Sequence, residues 1–144
     1  MTLKKIRRRV SVVVLDQDRI LGFYARDPHN QKEYFFIPGG MIEEGESAEQ
    51  AAVRETLEET GYSIEIIPFL RAERRYDFEW DGQINDCITI FLAGRLLNKH
   101  PVTVNDASYH RGVGWESILE IDKIFSYHPD ILEPTQGLVR QLLK

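Results

Sequence analysis

GMIEEGESAEQAAVRETLEETGY, residues 40–62, joins a glycine turn, a capped helix and a cluster of carboxylates in one unbroken segment. Ser47 suits a helix N-cap, and Gln50 three residues later completes a capping-box pattern. Ala, Val, Leu and Glu fill the interior, and Gly61 suits the left-handed position that ends a helix. At about 100° per residue, Val53, Thr56, Leu57 and Thr60 fall on one side, and Glu55, Glu58 and Glu59 on the opposite side. The first set is expected to pack on a sheet while the second faces outward. Like charges at this spacing oppose a helix by roughly 0.2–0.5 kcal/mol per pair. They also crowd its C-terminal half, where the helix dipole disfavours anions. A bound cation removes both penalties. Magnesium takes hard oxygen ligands, a few carboxylates completed by water and substrate phosphates. Gly39-Gly40 lets backbone approach such a site with no β-carbon in the way. Glu58-Glu59 alone reads as a solvated acidic face. The glycine turn, Glu46, Arg54-Glu55 and Glu58-Glu59 together point to a cation site.

Outward from this segment, the spacing predicts strands over Val10–Leu15, Ile20–Tyr24, Tyr34–Ile37, Ile64–Ile67, Leu70–Phe78, Cys87–Leu92 and Val113–Trp115. Asp16–Arg19 and Asp81-Gly82 are the hairpin turns, and Asp27–Asn30 marks a loop. A helical turn is expected at Ser117–Ile121. Leu138–Leu143 reads as the end of a C-terminal helix, and His128-Pro129-Asp130 resembles a helix start. Hairpin-linked strands with two main helices give an α/β sandwich with a mixed sheet. With no repeat or long linker, residues 1–144 read as a single domain.

Gly40, Glu46 and the run Arg54-Glu55-Thr56-Leu57-Glu58-Glu59-Thr60-Gly61-Tyr62 closely resemble the signature of the Nudix hydrolases. Every glycine, glutamate and arginine of that signature is present at its spacing. Thr56 and Tyr62 stand where an aliphatic residue is usual, a mild change at packing positions. Phe36–Gly40 resembles the family's approach to the box. The resemblance implies an α/β/α sandwich and metal-dependent attack of water on a nucleoside diphosphate linked to another group X. It implies magnesium, or manganese, on Glu58 and Glu59 with Glu55 close by and the Gly39 carbonyl as a further ligand. Arg54 would orient the glutamates through an ion pair that includes Glu46. Glu55 is the first candidate for general base, and Asp106 on a later loop is the second.

Substrate residues lie outside the box. Arg26 ends the second strand where similar hydrolases often use a basic residue on substrate phosphate; it also reads as a surface arginine. Phe35 stands where relatives often carry an aromatic, to stack on a base or to pack in the core. Arg71, Arg74 and Arg75 alternate with Tyr76, Phe78 and Trp80. They suit either a ligand cleft, with Arg74 on substrate, or an edge strand guarded by charge. Lys4, Lys5, Arg7, Arg8 and Arg9 form a basic run, read as a solvated tail or as a phosphate or partner site.

The net charge of −5 opposes bulk attraction to nucleic acid or to an anionic membrane. The one cysteine, Cys87, excludes an internal disulfide and a cysteine-built zinc site, and it reads as a buried thiol. No apolar run reaches the roughly 18–20 residues of a membrane span. The basic N-terminus lacks a signal-peptide core, so a cytoplasmic location is expected. The expected partner is a small nucleotide-type molecule, with a homodimer left open. A non-catalytic Nudix-fold nucleotide-binding module is the alternative, opposed by the complete set of box glutamates. An isoprenoid diphosphate isomerase is disfavoured because Cys87 sits mid-strand, and RNA decapping by the acidic balance.

Overall fold

The computed structural model describes residues 4–104 and 107–144. In chain order it contains β1 (Lys5–Asp16), β2 (Arg19–Arg26), β3 (Glu33–Phe36), β4 (Gly39–Met41), α1 (Ala48–Thr60), β5 (Ile64–Trp80), β6 (Gln83–Leu96) and β7 (His110–Ser117). A 3-10 turn (Ile118–Glu120), α2 (Ile121–Ile124) and α3 (Pro129–Leu142) follow.

The sheet is mixed, in the order β3-β2-β1-β6-β5, with β4 also beside β1 and β7 beside β2. β1 and β6 run parallel, and the other pairs are antiparallel. The continuous β-branched run of β1 follows from burial on both faces. Val10, Val12 and Val14 meet Ala51 and Ala52 of α1, while Val13 joins Phe91, Phe125, Leu138 and Val139 on the other face. Burying such a side chain contributes about 1.5–3 kcal/mol. With α1 on one face and α2 and α3 on the other, the architecture is the α/β/α sandwich expected from the sequence.

The hairpin turns fall where turn residues predict them. Leu15 pairs with Ile20 across Gln17, which has φ 57°. Trp80 pairs with Gln83 across Asp81 and Gly82, at φ 52° and 76°. The two strands expected over 64–67 and 70–78 are instead one strand, β5. Its pairing to β6 jumps from Ile66↔Gly94 to Arg71↔Leu92. Pro68 has no N–H for the ladder, and the chain bulges there with Phe69 at φ 70° and fully exposed.

Helix α1 has the reciprocal Ser47–Gln50 capping box, and Gly61 closes it at φ 79° with its N–H on the Leu57 carbonyl. Such a cap contributes about 1 kcal/mol. Its packing face differs from expectation. Ala51, Ala52, Thr56 and Thr60 are buried, whereas Val53 and Leu57 are 36% and 40% exposed. The hydroxyls of Thr56 and Thr60 donate to the carbonyls of Ala52 and Thr56, so burial leaves neither unsatisfied. With the 52–56–60 stripe on the sheet, Glu55 and Glu59 flank the packing face rather than oppose it. α3 starts at Pro129, where the His128 Nδ1 accepts the Asp130 N–H.

The long β5–β6 hairpin is tied back at its tip. The Asp81 N–H donates to the fully buried Asp27 carboxylate at 3.2 and 3.3 Å, and His29 N–H does so at 2.8 Å. This tie brings Phe78 and Trp80 against Phe36 of β3, at ring separations of 6.0 and 5.5 Å.

Candidate active site

Arg54 organises the acidic cluster. It grips Glu46 through both carboxylate oxygens, Nε to Oε2 at 2.7 Å and Nη2 to Oε1 at 2.9 Å. Its Nη1 donates to Glu55 at 2.8 Å and to Glu58 at 3.3 Å, and Nη2 donates to the Met41 carbonyl at 3.0 Å. The Arg54 guanidinium, helped by the Glu43 N–H, holds the Glu46 carboxyl down at about 2. The same carboxylates push the Arg54 guanidinium further up. A planar fork with five donors suits this task better than an ammonium.

Glu55 and Glu59, one helical turn apart, reach past β4 at its two glycines. The Gly39 N–H donates to Glu59 Oε1 at 2.8 Å. A β-carbon at Gly40 would lie 2.5 Å from the Glu55 Oε1. Loss of solvation pushes the Glu59 carboxyl up to about 8, against the pull of the Gly39 N–H. It also raises Glu55, against the nearby Arg54. Glu58 is the outer member, with its side chain 57% exposed.

His110 pins the same helix from β7. Its Nε2 lies 2.8 Å from the Glu59 carbonyl oxygen, and its Nδ1 accepts the Gly112 N–H at 3.1 Å. A carbonyl only accepts, so this contact needs a proton on Nε2. The ring also stacks on Phe23, 4.8 Å away and 4° from parallel. The scattered histidines of the sequence carry no sign of this, because these two contacts are to backbone groups.

Glu55 and Glu59 open on a cleft of about 450 Å³. Glu55, Glu59, Gly39 and Gly40 stand in its lining with Arg7, Arg9 and Ser11 of β1. Phe23, Phe36, Phe78, Trp80, Tyr109 and Tyr127 supply aromatic wall.

The substrate residues expected from sequence stand elsewhere. Phe35 is 6% exposed, in the core between Tyr24 and Phe125, with no ring face left for a base. Its neighbour Phe36 lines the cleft, because successive strand residues face opposite ways. Arg74 is bound to Asp130 and Glu133 of α3, and Arg26 lies by the Gln31 carbonyl; neither lines the cleft. Asp106 lies outside the described residues. Of the basic N-terminal run, Arg7 and Arg9 enter the cleft while Lys4, Lys5 and Arg8 are exposed.

The donor set fits a hard divalent cation whose shell is completed by other ligands. Among the described residues, no three His, Cys, Asp or Glu side chains stand together as a ready cage for an ion. Magnesium commonly takes one or two carboxylates and leaves the remaining positions to water and phosphate. Glu55 and Glu59, desolvated and both beside bare glycine backbone, match that demand.

The family model described as NUDIX domain matches residues 5–136. A Bacillus subtilis (strain 168) protein, provisionally named an 8-oxo-dGTP diphosphatase, is 49% identical over 43 residues, 30% of this chain and 29% of that one. The chain thus matches under a third of the length of the curated relatives. A NUDIX hydrolase from Nitrosomonas europaea superposes with a TM-score of 0.71 at 24% identity, covering 96% of this chain and 89% of that one. A C. elegans Ap4A hydrolase in a binary complex gives 0.73 at 20% identity, covering 95% and 98%. These two likenesses concern the fold.

Proposed function

The chain belongs to the Nudix domain family, and on that premise we propose that it is a metal-dependent pyrophosphohydrolase. Water attacks a phosphorus of a diphosphate joining a nucleoside to another group X, the P–O–P bridge breaks, and two phosphate-bearing products leave. Substrates of this class are nucleoside di- and triphosphates and nucleotide conjugates such as ADP-ribose or a nucleotide-sugar. The observation that carries the reading is the pair Glu55 and Glu59 over Gly39-Gly40, at one end of an aromatic-walled cleft. The name of the Bacillus subtilis relative, a diphosphatase of a modified nucleotide, supports the same reaction class.

Magnesium or manganese, when bound, would neutralise phosphate oxygens and lower the pKa of the attacking water. Glu55 and Glu59 would hold the ion from the cleft floor, with Glu58 from the rim and the Gly39 carbonyl beside them. Arg54 keeps Glu55 in place, and Glu46 keeps Arg54 in place. Glu55, whose carboxyl burial raises from its ordinary value, is suited to take the proton of the attacking water. Asp106 is the second candidate for that proton. Phe36 and Trp80 offer a nucleobase a wall to stack on. The whole chain acts as one catalytic domain in the cytoplasm, on small molecules. No helix among the described residues is long and apolar enough to cross a membrane.

The test is incubation of the purified protein with magnesium or manganese and a panel of nucleoside di- and triphosphates and conjugates. Monophosphate, phosphate and pyrophosphate are assayed as products. Turnover of at least one panel member that stops on chelation is expected. Tight binding with no turnover would replace the reading with the non-catalytic module.

A further inference from the structure

Arg7 and Arg9 are half-buried on β1 and line the cleft. Among the described residues, neither has a carboxylate within ion-pair distance. Arg54, Arg71, Arg74, Arg75 and Arg95 each have one. Arg7 has only the Asn85 side-chain oxygen, at 3.4 Å. The charge of Arg9 acts on the Tyr76 hydroxyl, and on Glu55 and Glu59 as well. A guanidinium partly withdrawn from water without a carboxylate in ion-pair contact is costly, and an anion entering the cleft removes that cost.

The strand register orders these cations along the cleft. Ser11 pairs with Gly39, at the carboxylate end. Arg9 is one pleat further, between Met41 and Thr89. Arg7 is one pleat further again, beside Cys87, which pairs with Tyr76. Each step of two residues advances about 6.7 Å. Phe78, paired with Asn85, and then Trp80 follow in the same direction along β5. A phosphate chain laid from the carboxylates along β1 therefore meets Arg9 first and Arg7 next, before the aromatic rings.

Resting on the hydrolase reading above, we propose that Arg7 and Arg9 form an anion rail that selects substrates with a phosphate beyond the cleaved diphosphate. That favours nucleoside triphosphates and longer nucleoside polyphosphates over conjugates whose X is an uncharged sugar. An uncharged group beside Arg7 would leave its charge uncompensated, whereas a phosphate takes charge-assisted hydrogen bonds from it.

The experiment is calorimetric binding, in magnesium buffer, of a non-hydrolysable nucleoside triphosphate analogue and of a nucleoside diphosphate-sugar with the same base. Wild type is expected to bind the triphosphate at least about tenfold tighter. Arg7→Gln should cut that ratio about tenfold, and Arg7→Lys should cut it less. Arg9→Gln, nearer the carboxylates, should weaken both ligands. A wild-type ratio of one or below, or a ratio unchanged in a folded Arg7→Gln, overturns the proposal. If Arg7→Gln does not fold, the Arg7→Lys ratio decides: no change overturns it. Failure of the hydrolase reading would show separately, as no turnover of any panel substrate by wild type. The binding ratio tests the rail in that case too.

Discussion

The Glu55 carboxylate lies against the bare α-carbon of Gly40, so a β-carbon built there falls 2.5 Å from its Oε1. Gly40→Ala should therefore move the carboxylate without breaking the strand. The expected result is a drop in kcat of about tenfold or more, with little change in thermal midpoint. Gly39→Ala is the contrast. Its β-carbon would strike the Val10 carbonyl oxygen on β1, which cannot swing away. That variant should lose about 1–3 kcal/mol of stability, measured by denaturant unfolding.

The bidentate grip of Arg54 on Glu46 sets an acid limit on stability. Glu46 titrates at about 2 in the fold, below its ordinary value of 4.5. Its contribution is therefore present above about 4.5 and is lost as pH falls through about 2. Glu46→Gln should flatten this acid limb in thermal melts at a series of pH values. Arg54→Lys keeps the charge but loses the fork, and kcat should fall about tenfold or more.

Glu59 has the opposite sign. Its carboxyl is raised from 4.5 to about 8. In metal-free protein its contribution to stability is fully present below about 4.5 and is lost as pH rises through about 8. A cation must displace that proton, so magnesium affinity should rise with pH up to about 8. Calorimetry in buffers of different ionisation enthalpy should detect about one proton released at pH 7. Glu59→Gln should abolish the release and most of the activity. A full rate in that variant would sink the metal assignment.

His110→Phe separates ring stacking from hydrogen bonding. The phenyl ring retains contact with Phe23, but the links to the Glu59 carbonyl and the Gly112 N–H are lost. Magnesium affinity should weaken by about tenfold, while the circular dichroism spectrum stays native. Unchanged affinity would show that α1 is held by its other contacts.

Asp27 holds the β5–β6 hairpin to the loop after β2. Asp27→Ala leaves backbone N–H groups unpaired and should cost about 2–3 kcal/mol. Limited proteolysis should then cut near Asp81-Gly82, and kcat/KM should fall as Trp80 drifts from Phe36.

Local chemistry made much of this legible beforehand. The Ser47–Gln50 capping box, the Gly61 terminus and the Asp81-Gly82 turn depend on neighbours within a few residues, and each appears where its residues predict. The Arg54–Glu46 pair is nearly as local, spanning one loop and two helical turns. Spacing on a helical wheel was less sufficient. It gives angles between side chains but not the rotation at which the helix meets its sheet, so Val53 and Leu57 came out exposed. Phe35 and Phe36 show the same limit on a strand, where one residue of register decides between core and cleft.

The sequence by itself determined the acidic segment, its helix and the family, because those rest on fixed spacings along one stretch of chain. Only the tertiary structure decided what stands opposite that segment. Arg7 and Arg9 come from β1, Phe36 from β3 and Trp80 from β5. They meet because a parallel β1–β6 pairing and a pinned hairpin bring distant residues to one cleft, and such long-range closure leaves no local pattern to read.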